Sequence, residues 1–427
     1  MFSSKSFRPN CIAVVLAVVG LAMSVSACSA GTRAGSSNGG DGTVVSTIPA
    51  TDPATLTAMA KKVFNPSIDP SALAPELQTA LMAGSVPLTD AQRTIFDDCM
   101  ANTSCETGQG SYTLAILSDL VHSFSAIARA EIVSYAIKSG EIAKITYSNS
   151  GADVQRHMTD WRTAIGQGVD LIAPQFSAVG NQLGPVIAQA KAAGIPIING
   201  AVQLDPAVSE QLSVNIKFDL CGMWKSAAPI LKQHLQEKGQ TDATYAMFTG
   251  VPGNVYAPTW QPCAQEALDA AGFTKVYDGT TDWTPQGTVQ AAGQLRASGK
   301  NPSLIAYDES AADFLNAYIA AGDRNIPTLM LSGSTTLGTL KAYHQAEQDG
   351  YDADVFMMPG THWLYGAALG AALEIVDGRE PSAPVLDYPM GIVSAADVLD
   401  QSDLSLPDVA INGTLIDSAD QVEALEN

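Results

Sequence analysis

The 427-residue chain is short of charge. Charged residues make up 15%, against about 25% in an average globular protein. Most of the shortfall is basic: 22 Lys and Arg stand against 43 Asp and Glu, a net charge of −21. A surface so poor in cations excludes a grip on phosphate backbones, so no nucleic-acid partner is expected. Five histidines are scattered and no CxxC pair occurs, so zinc lacks ligand spacing and no metal is expected. From residue 44 onward there is no GxSxG, HExxH or P-loop. Acid pairs exist, but two carboxylates alone do not imply glycosidase chemistry. No enzyme, catalytic residue or cofactor is therefore expected. Past the first thirty residues no apolar stretch of 18 occurs, so nothing further is expected to span a membrane. Gly and Pro, 36 and 23, are near average, which excludes collagen-like and low-complexity chains. With 46% hydrophobic residues, the length suits two or three domain-sized units.

The beginning of the chain reads as an address. Lys5 and Arg8 precede a mostly apolar run, Ile12 to Val25, that is too short for a comfortable span. Small residues then lead to Cys28, in the sequence Val25-Ser26-Ala27-Cys28. This pattern resembles a bacterial lipobox, which implies cleavage before Cys28, lipid on its thiol and an extracytoplasmic location at a membrane. A plain signal peptide with a chance cysteine is the alternative. Ser29 to Thr43 is rich in Gly and Ser and reads as a flexible tether. Cys99, Cys105, Cys221 and Cys263 then remain, an even number in an oxidising place, and four cysteines allow three pairings. Cys99 and Cys105 bracket a short loop and form the obvious local pair.

Residues 44 to 110 show helix-like apolar spacing over Pro53–Val63, Ser71–Met82 and Thr89–Met100. With few apolar residues of its own, this segment reads as a cap or stalk. From Ser111 the pattern becomes strand, helix, strand. Strands are expected at Tyr112–Leu117, Ala143–Tyr147, Leu171–Ala173 and Ile195–Ile198. Helices are expected at Phe124–Ser139, Asp153–Gly166 and Val179–Ala193. Such alternation indicates βαβ units and parallel sheets. The pattern then repeats. Ala115-Ile116-Leu117-Ser118 is echoed by Ala246-Met247-Phe248-Thr249, and Leu171-Ile172-Ala173 by Leu304-Ile305-Ala306. The shared offset of roughly 130 in unchanged order points to two similar lobes in tandem, with generic βαβ punctuation as the alternative.

Ligands of open parallel sheets sit outside the carboxyl ends of the strands, so two lobes facing each other enclose one cleft. The tips expected there are Ser118–Phe124, Asn149–Asp153, Gln175–Ser177 and Asn199–Gln203 on one side. On the other they are Thr249–Trp260, Asp282-Trp283, Asp308-Glu309 and Ser332–Ser334. None of the arginines lies in these segments, whereas Asp119, Asp153, Asp282, Asp308 and Glu309 do. An anion would want Arg, so a neutral polyol or sugar-like ligand is favoured, with a cationic amine as the variant.

Four stretches carry a resemblance: Leu117-Ser118-Asp119 to Phe124, Gly168 to Pro174, Ala193 to Asn199, and Ala306 to Ala311. Over about residues 111 to 395 the chain resembles the type I periplasmic binding proteins of ABC importers, in the ribose- and galactose-binding branch. The resemblance implies an α/β fold of two similar doubly wound parallel-sheet lobes, joined by a hinge of three crossings near Lys217, Pro359 and Tyr388. The implied domains are a signal peptide (1–27), a tether (28–43) and a helical extension (44–110). An N-terminal lobe (111–217 with 360–388), a C-terminal lobe (218–359 with 389–395) and a tail (396–427) follow.

By the same resemblance Ser118, His122 and Phe124 occupy first-loop positions that touch sugar, with Asp119 beside them. Asn199 follows the fourth strand. Trp283 falls where a stacking ring is expected, and Tyr307 or Asp308 falls at the Asn of an NDxxA-like stretch. Each has a plainer reading: Phe124 and Trp283 as core, His122 as solvated loop, Asp308 as a helix cap. The sequence departs from the family at three clamps, which here are Ala201-Val202, Pro258 and Ser332. Tyr256 and Trp260 stand nearby instead, which suggests a ligand with fewer hydroxyls or a larger apolar face. Cys221 and Cys263 fall on neighbouring helices of the second lobe and are expected to pair, with two buried thiols as the alternative. The implied function is capture of a small ligand by a monomer that serves ABC permease and ATPase subunits. A lipoprotein signalling to a membrane receptor is the alternative.

Overall fold

The computed structural model describes residues 46–176, 180–200, 204–333 and 335–427. The signal peptide, Cys28, the tether and the tip residues Ser177, Ala201 to Gln203 and Ser334 lie outside the described residues.

Three helices open the described chain: α1 (Pro53–Lys62), α2 (Pro75–Gly84) and α3 (Asp90–Ala101). Asp52 caps α1 by accepting the Thr55 N–H at 2.8 Å. At α3 the Thr89 and Gln92 side chains form a reciprocal capping box. The second helix begins at Pro75, not Ser71. Pro70–Ala72 instead makes a short 3₁₀ turn capped by Asp69, and Pro75 takes the first helical position, where its missing N–H costs nothing. The extension is a cap with substantial apolar contacts, since Leu56, Val63, Leu77, Leu81 and Phe96 are buried in the largest apolar cluster.

The first lobe then runs β1 (Ser104–Glu106), β2 (Tyr112–Ser118), α4 (Ser123–Ser139), β3 (Ile142–Asn149), α5 (Val154–Gln167) and β4 (Leu171–Gln175). It continues with α6 (Gly184–Ala192), β5 (Ile198–Asn199), α7 (Pro206–Ser209) and β6 (Val214–Phe218). Its strands lie in the orders β1-β3-β2-β4 and β5-β6-β12, where β12 is Val385–Tyr388. A parallel bridge between Ile172 and Ile197 connects β4 to the segment entering β5. The strand expected over Ile195–Ile198 shrinks to Ile198–Asn199, because Pro196 has no N–H to donate and contributes only its carbonyl, to Ile172. Gly140 and Gly168 end α4 and α5 in the left-handed conformation, the usual exit from a helix.

The second lobe comprises α8 (Leu220–Glu237), β7 (Thr244–Thr249), α9 (Ala257–Ala270), β8 (Thr274–Thr280) and α10 (Pro285–Ala297). β9 (Leu304–Tyr307), α11 (Ala312–Ala320), β10 (Thr328–Leu331), α12 (Leu337–Gln348) and β11 (Val355–Met357) complete its repeat. Its sheet has the order β13-β11-β10-β9-β7-β8, with β13 at Val393–Ser394. All pairings in it are parallel except β11–β13. Between β11 and β12 the chain returns to the first lobe through α13 (Leu364–Val376), which packs on α4 and α2. The chain thus passes between sheets three times, after Phe218, after Met357 and after Tyr388. The tail holds α14 (Ala395–Val398) and α15 (Ser418–Glu426).

Two disulfides staple these elements. Cys99–Cys105 ties the end of α3 to β1, and Cys221–Cys263 ties α8 to α9, with Cα atoms 5.0 and 4.9 Å apart. Among the described residues no helix is long and apolar enough to cross a membrane.

Candidate functional site

The second-lobe wall is organised around Asp308, which follows β9 and is buried. One carboxylate oxygen accepts the Thr249 hydroxyl at 2.5 Å and the Trp260 indole N–H at 3.1 Å. The other accepts the Trp283 indole N–H at 3.0 Å. Burial raises the Asp308 pKa to about 6, and these three donors oppose the rise. Asn254 donates to the Thr249 hydroxyl at 3.1 Å, and its carbonyl accepts the N–H groups of Tyr256 and Ala257 at the start of α9. The Tyr256 hydroxyl donates to the Ser332 carbonyl at 2.6 Å. Tips of β7, β9 and β10 and the start of α9 are thereby locked into one network. Glu309 keeps part of its surface open, yet desolvation among these tips raises it to about 8.

Trp283 is half-buried and sits in the left-handed region at φ 51°, beside Asp282 at 54°. A bulky residue pays heavily for such a backbone, and such strain clusters at ligand sites. The indole is held by Asp308, and the Trp283 N–H donates to the Thr281 hydroxyl at 3.3 Å. Gly250 allows this placement, because a Cβ there would lie 2.1 Å from the indole ring.

The remaining expected residues of this wall lie deeper. Trp260 is fully buried and stacks on Trp224 with centroids 5.9 Å apart, so it backs Asp308. The Tyr307 ring belongs to the second-lobe core, edge-on to Phe314, with its hydroxyl 2.6 Å from Thr281. Ser332 is buried, and its hydroxyl donates to the Tyr307 carbonyl at 3.4 Å.

On the first-lobe wall Ser118 ends β2, and its hydroxyl accepts the Asn149 amide at 3.2 Å. Asn149 also donates to the Leu120 carbonyl and the Tyr147 hydroxyl. Asp119 is buried at the same strand end. Asn199 donates to Asn215 at 2.8 Å. His122 caps α4 by accepting the Phe124 N–H at 3.2 Å and keeps part of its surface exposed. The Phe124 ring lies 4.6 Å from the His362 ring and 6.5 Å from that of Tyr365. Burial lowers the pKa of both histidines, that of His362 to about 3, so this wall carries neutral imidazoles. Val255, from the β7–α9 loop, packs against the first-lobe cluster of Leu117, Trp161 and Phe176, which brings the two sets of tips together.

His362 and Tyr365 were missed in the sequence. They enter this wall only because the second crossing returns the chain there, and no local motif marks them. Gln175, at the end of β4, donates to the Ser125 carbonyl at 3.1 Å within the expected tip set. Among the described residues no cluster of His, Cys, Asp or Glu is arranged to hold a metal.

The periplasmic binding protein domain model matches residues 115–379, and the chain belongs to that family. Comparison with curated proteins finds no match. Among solved structures, one from Mycobacterium smegmatis in complex with β-D-fucofuranose is similar at 19% identity and a TM-score of 0.56, over 69% of this chain and 97% of that one. An ABC transporter solute-binding protein from Bacillus halodurans with bound myo-inositol is similar at 14% identity and a TM-score of 0.55, over the same shares. The arabinose-transporter component from Shewanella sp., bound to L-arabinofuranose, is similar at 18% and 0.54, over 68% of this chain and 95% of that one. At these identities the likeness is one of fold.

Proposed function

We propose that this chain is an extracytoplasmic solute-binding lipoprotein. It captures a small neutral sugar or polyol-like ligand between its lobes and delivers it to an ABC permease and ATPase. The observation that carries the reading is the Asp308 network with the half-buried Trp283 ring beside it. Both Asp308 oxygens already accept donors from the protein, which leaves few acceptor positions for a ligand ammonium group. Desolvation shifts Glu309 toward its protonated form, in which a carboxyl group can donate to a ligand hydroxyl. None of the wall residues named above is Lys or Arg, so an anion finds no partner. What remains is an indole face for C–H groups, with amides and hydroxyls for a polyol. The furanose and inositol ligands of the similar structures agree with this chemistry.

The test is a thermal-shift screen of L-arabinose, D-galactose, D-fucose, myo-inositol and glycerol against a diamine and an acidic sugar. A binder at 100 times its Kd adds about 2.7 kcal/mol to stability. A shift with the diamine alone supports the amine reading and contradicts the neutral one.

A further inference from the structure

The extension and the tail meet at the hinge. After α1 the chain turns through Phe64, whose backbone is left-handed at φ 62°. Its two neighbours and its own ring then go three ways. Val63 is buried in the largest apolar cluster, which draws on both lobes, and its carbonyl accepts the N–H of Gly360, on the second crossing, at 2.8 Å. The Phe64 ring is buried in the second-lobe cluster with Leu337, Met357 and Leu406. The Asn65 amide donates to the Tyr388 hydroxyl at 3.0 Å and the Pro389 carbonyl at 2.9 Å, on the third crossing.

The tail repeats this bridging independently. Asn412 donates from its backbone to the Thr335 carbonyl at 2.9 Å and from its side chain to the Thr336 carbonyl at 3.1 Å, both in the second lobe. The Leu415 N–H donates to Glu131 of α4, in the first lobe, at 2.7 Å. Lys62 joins the two straps by donating to the Leu415 carbonyl at 2.7 Å. The straps touch the crossing together: a Cβ on Gly360 would fall 1.7 Å from the Gly413 carbonyl oxygen.

We propose that residues 63–65 and 411–415 clamp the hinge, so that the open–closed balance of the cleft is set by segments remote from it. A rotation of the lobes about the crossings withdraws Phe64 from the second-lobe core or breaks the Asn412 bonds. Packed interfaces of this kind have discrete arrangements and do not slide continuously. The clamp holds whatever the ligand, and its test uses none, so its failure is separable from failure of the solute-binding reading.

The test is a pulsed electron-resonance distance measurement on the full chain without added sugar. Spin labels are carried on unnatural amino acids at Arg162 on α5 and Gln290 on α10, both exposed, which leaves the native cysteines untouched. The parent gives one narrow distance. Phe64→Gly suits the left-handed backbone while deleting the ring, and it adds a second distance in about a tenth or more of the molecules. Asn65→Ala, which removes the two crossing bonds and a long local bond from Ser67, shifts the distribution the same way and decides the matter if the first variant does not fold. A parent that already shows two distances, or folded variants that keep its single one, overturns the clamp.

Discussion

Asp308 and Trp283 depend on each other. The carboxylate needs the indole N–H to offset its burial, and the indole needs the carboxylate to hold a backbone that tryptophan otherwise avoids. Trp283→Ala is expected to cost about 2 kcal/mol or more of ligand affinity, the scale of an aromatic anchor. It is also expected to cost about 1–3 kcal/mol of stability, because one Asp308 oxygen is left unpaired. Titration calorimetry and urea unfolding measure the two. An unchanged affinity assigns the ring to support of the second lobe alone. A second residue-scale prediction concerns Glu131, buried against the tail with Lys138 and Lys62 as the cations facing it. Burial raises its pKa from 4.5 to about 7. The folded state therefore holds the proton more tightly than the unfolded chain does. The contribution is full below about 4.5 and is lost as pH rises through 7. The urea midpoint of the parent should fall between pH 5 and pH 7.5 relative to Glu131→Gln, which keeps an acceptor for Leu415 without titrating. Parallel curves contradict this.

Among the elements, the α8–α9 pair carries the clearest prediction. The Cys221–Cys263 bond closes a separation of 42 residues, for which the chain-entropy account gives about 4 kcal/mol. The double variant Cys221→Ser, Cys263→Ser should lose roughly this amount in urea unfolding. A loss below about 1 kcal/mol contradicts a constraint of that kind. These helices were expected in the sequence from the repeated strand–helix order of the second lobe. The tandem strands were readable because buried parallel strands are continuous apolar runs. β1 was not, since Ser104-Cys105-Glu106 has one buried residue between two exposed ones and joins the sheet only as an antiparallel edge. Strand tips such as Ser118, Asp308 and Trp283 could be located by the repeat offset. His362 and Tyr365 could not, because a hinge crossing is a long-range fact with no local pattern. Nor could the sequence separate Trp260 and Tyr307, buried behind the wall, from Trp283 on it: burial depth depends on packing that a strand–helix rhythm does not encode.

At the scale of the whole molecule, the proposed lipid anchor and the proposed hinge clamp both act on the two lobes joined by three crossings. Cys28→Ala should release the protein from the membrane fraction or stall its processing. A variant processed and fractionated like the parent contradicts the lipid anchor. The central claim is that the cleft takes a neutral polyhydroxy ligand against the Trp283 face. Titration calorimetry of the parent and Trp283→Ala with the strongest neutral sugar or polyol from the thermal-shift screen tests it most directly. The parent is expected to bind at one site per chain and the variant to lose about thirtyfold or more in affinity, the equivalent of about 2 kcal/mol. No binding by any neutral sugar or polyol, or equal affinity in the two proteins, would contradict it.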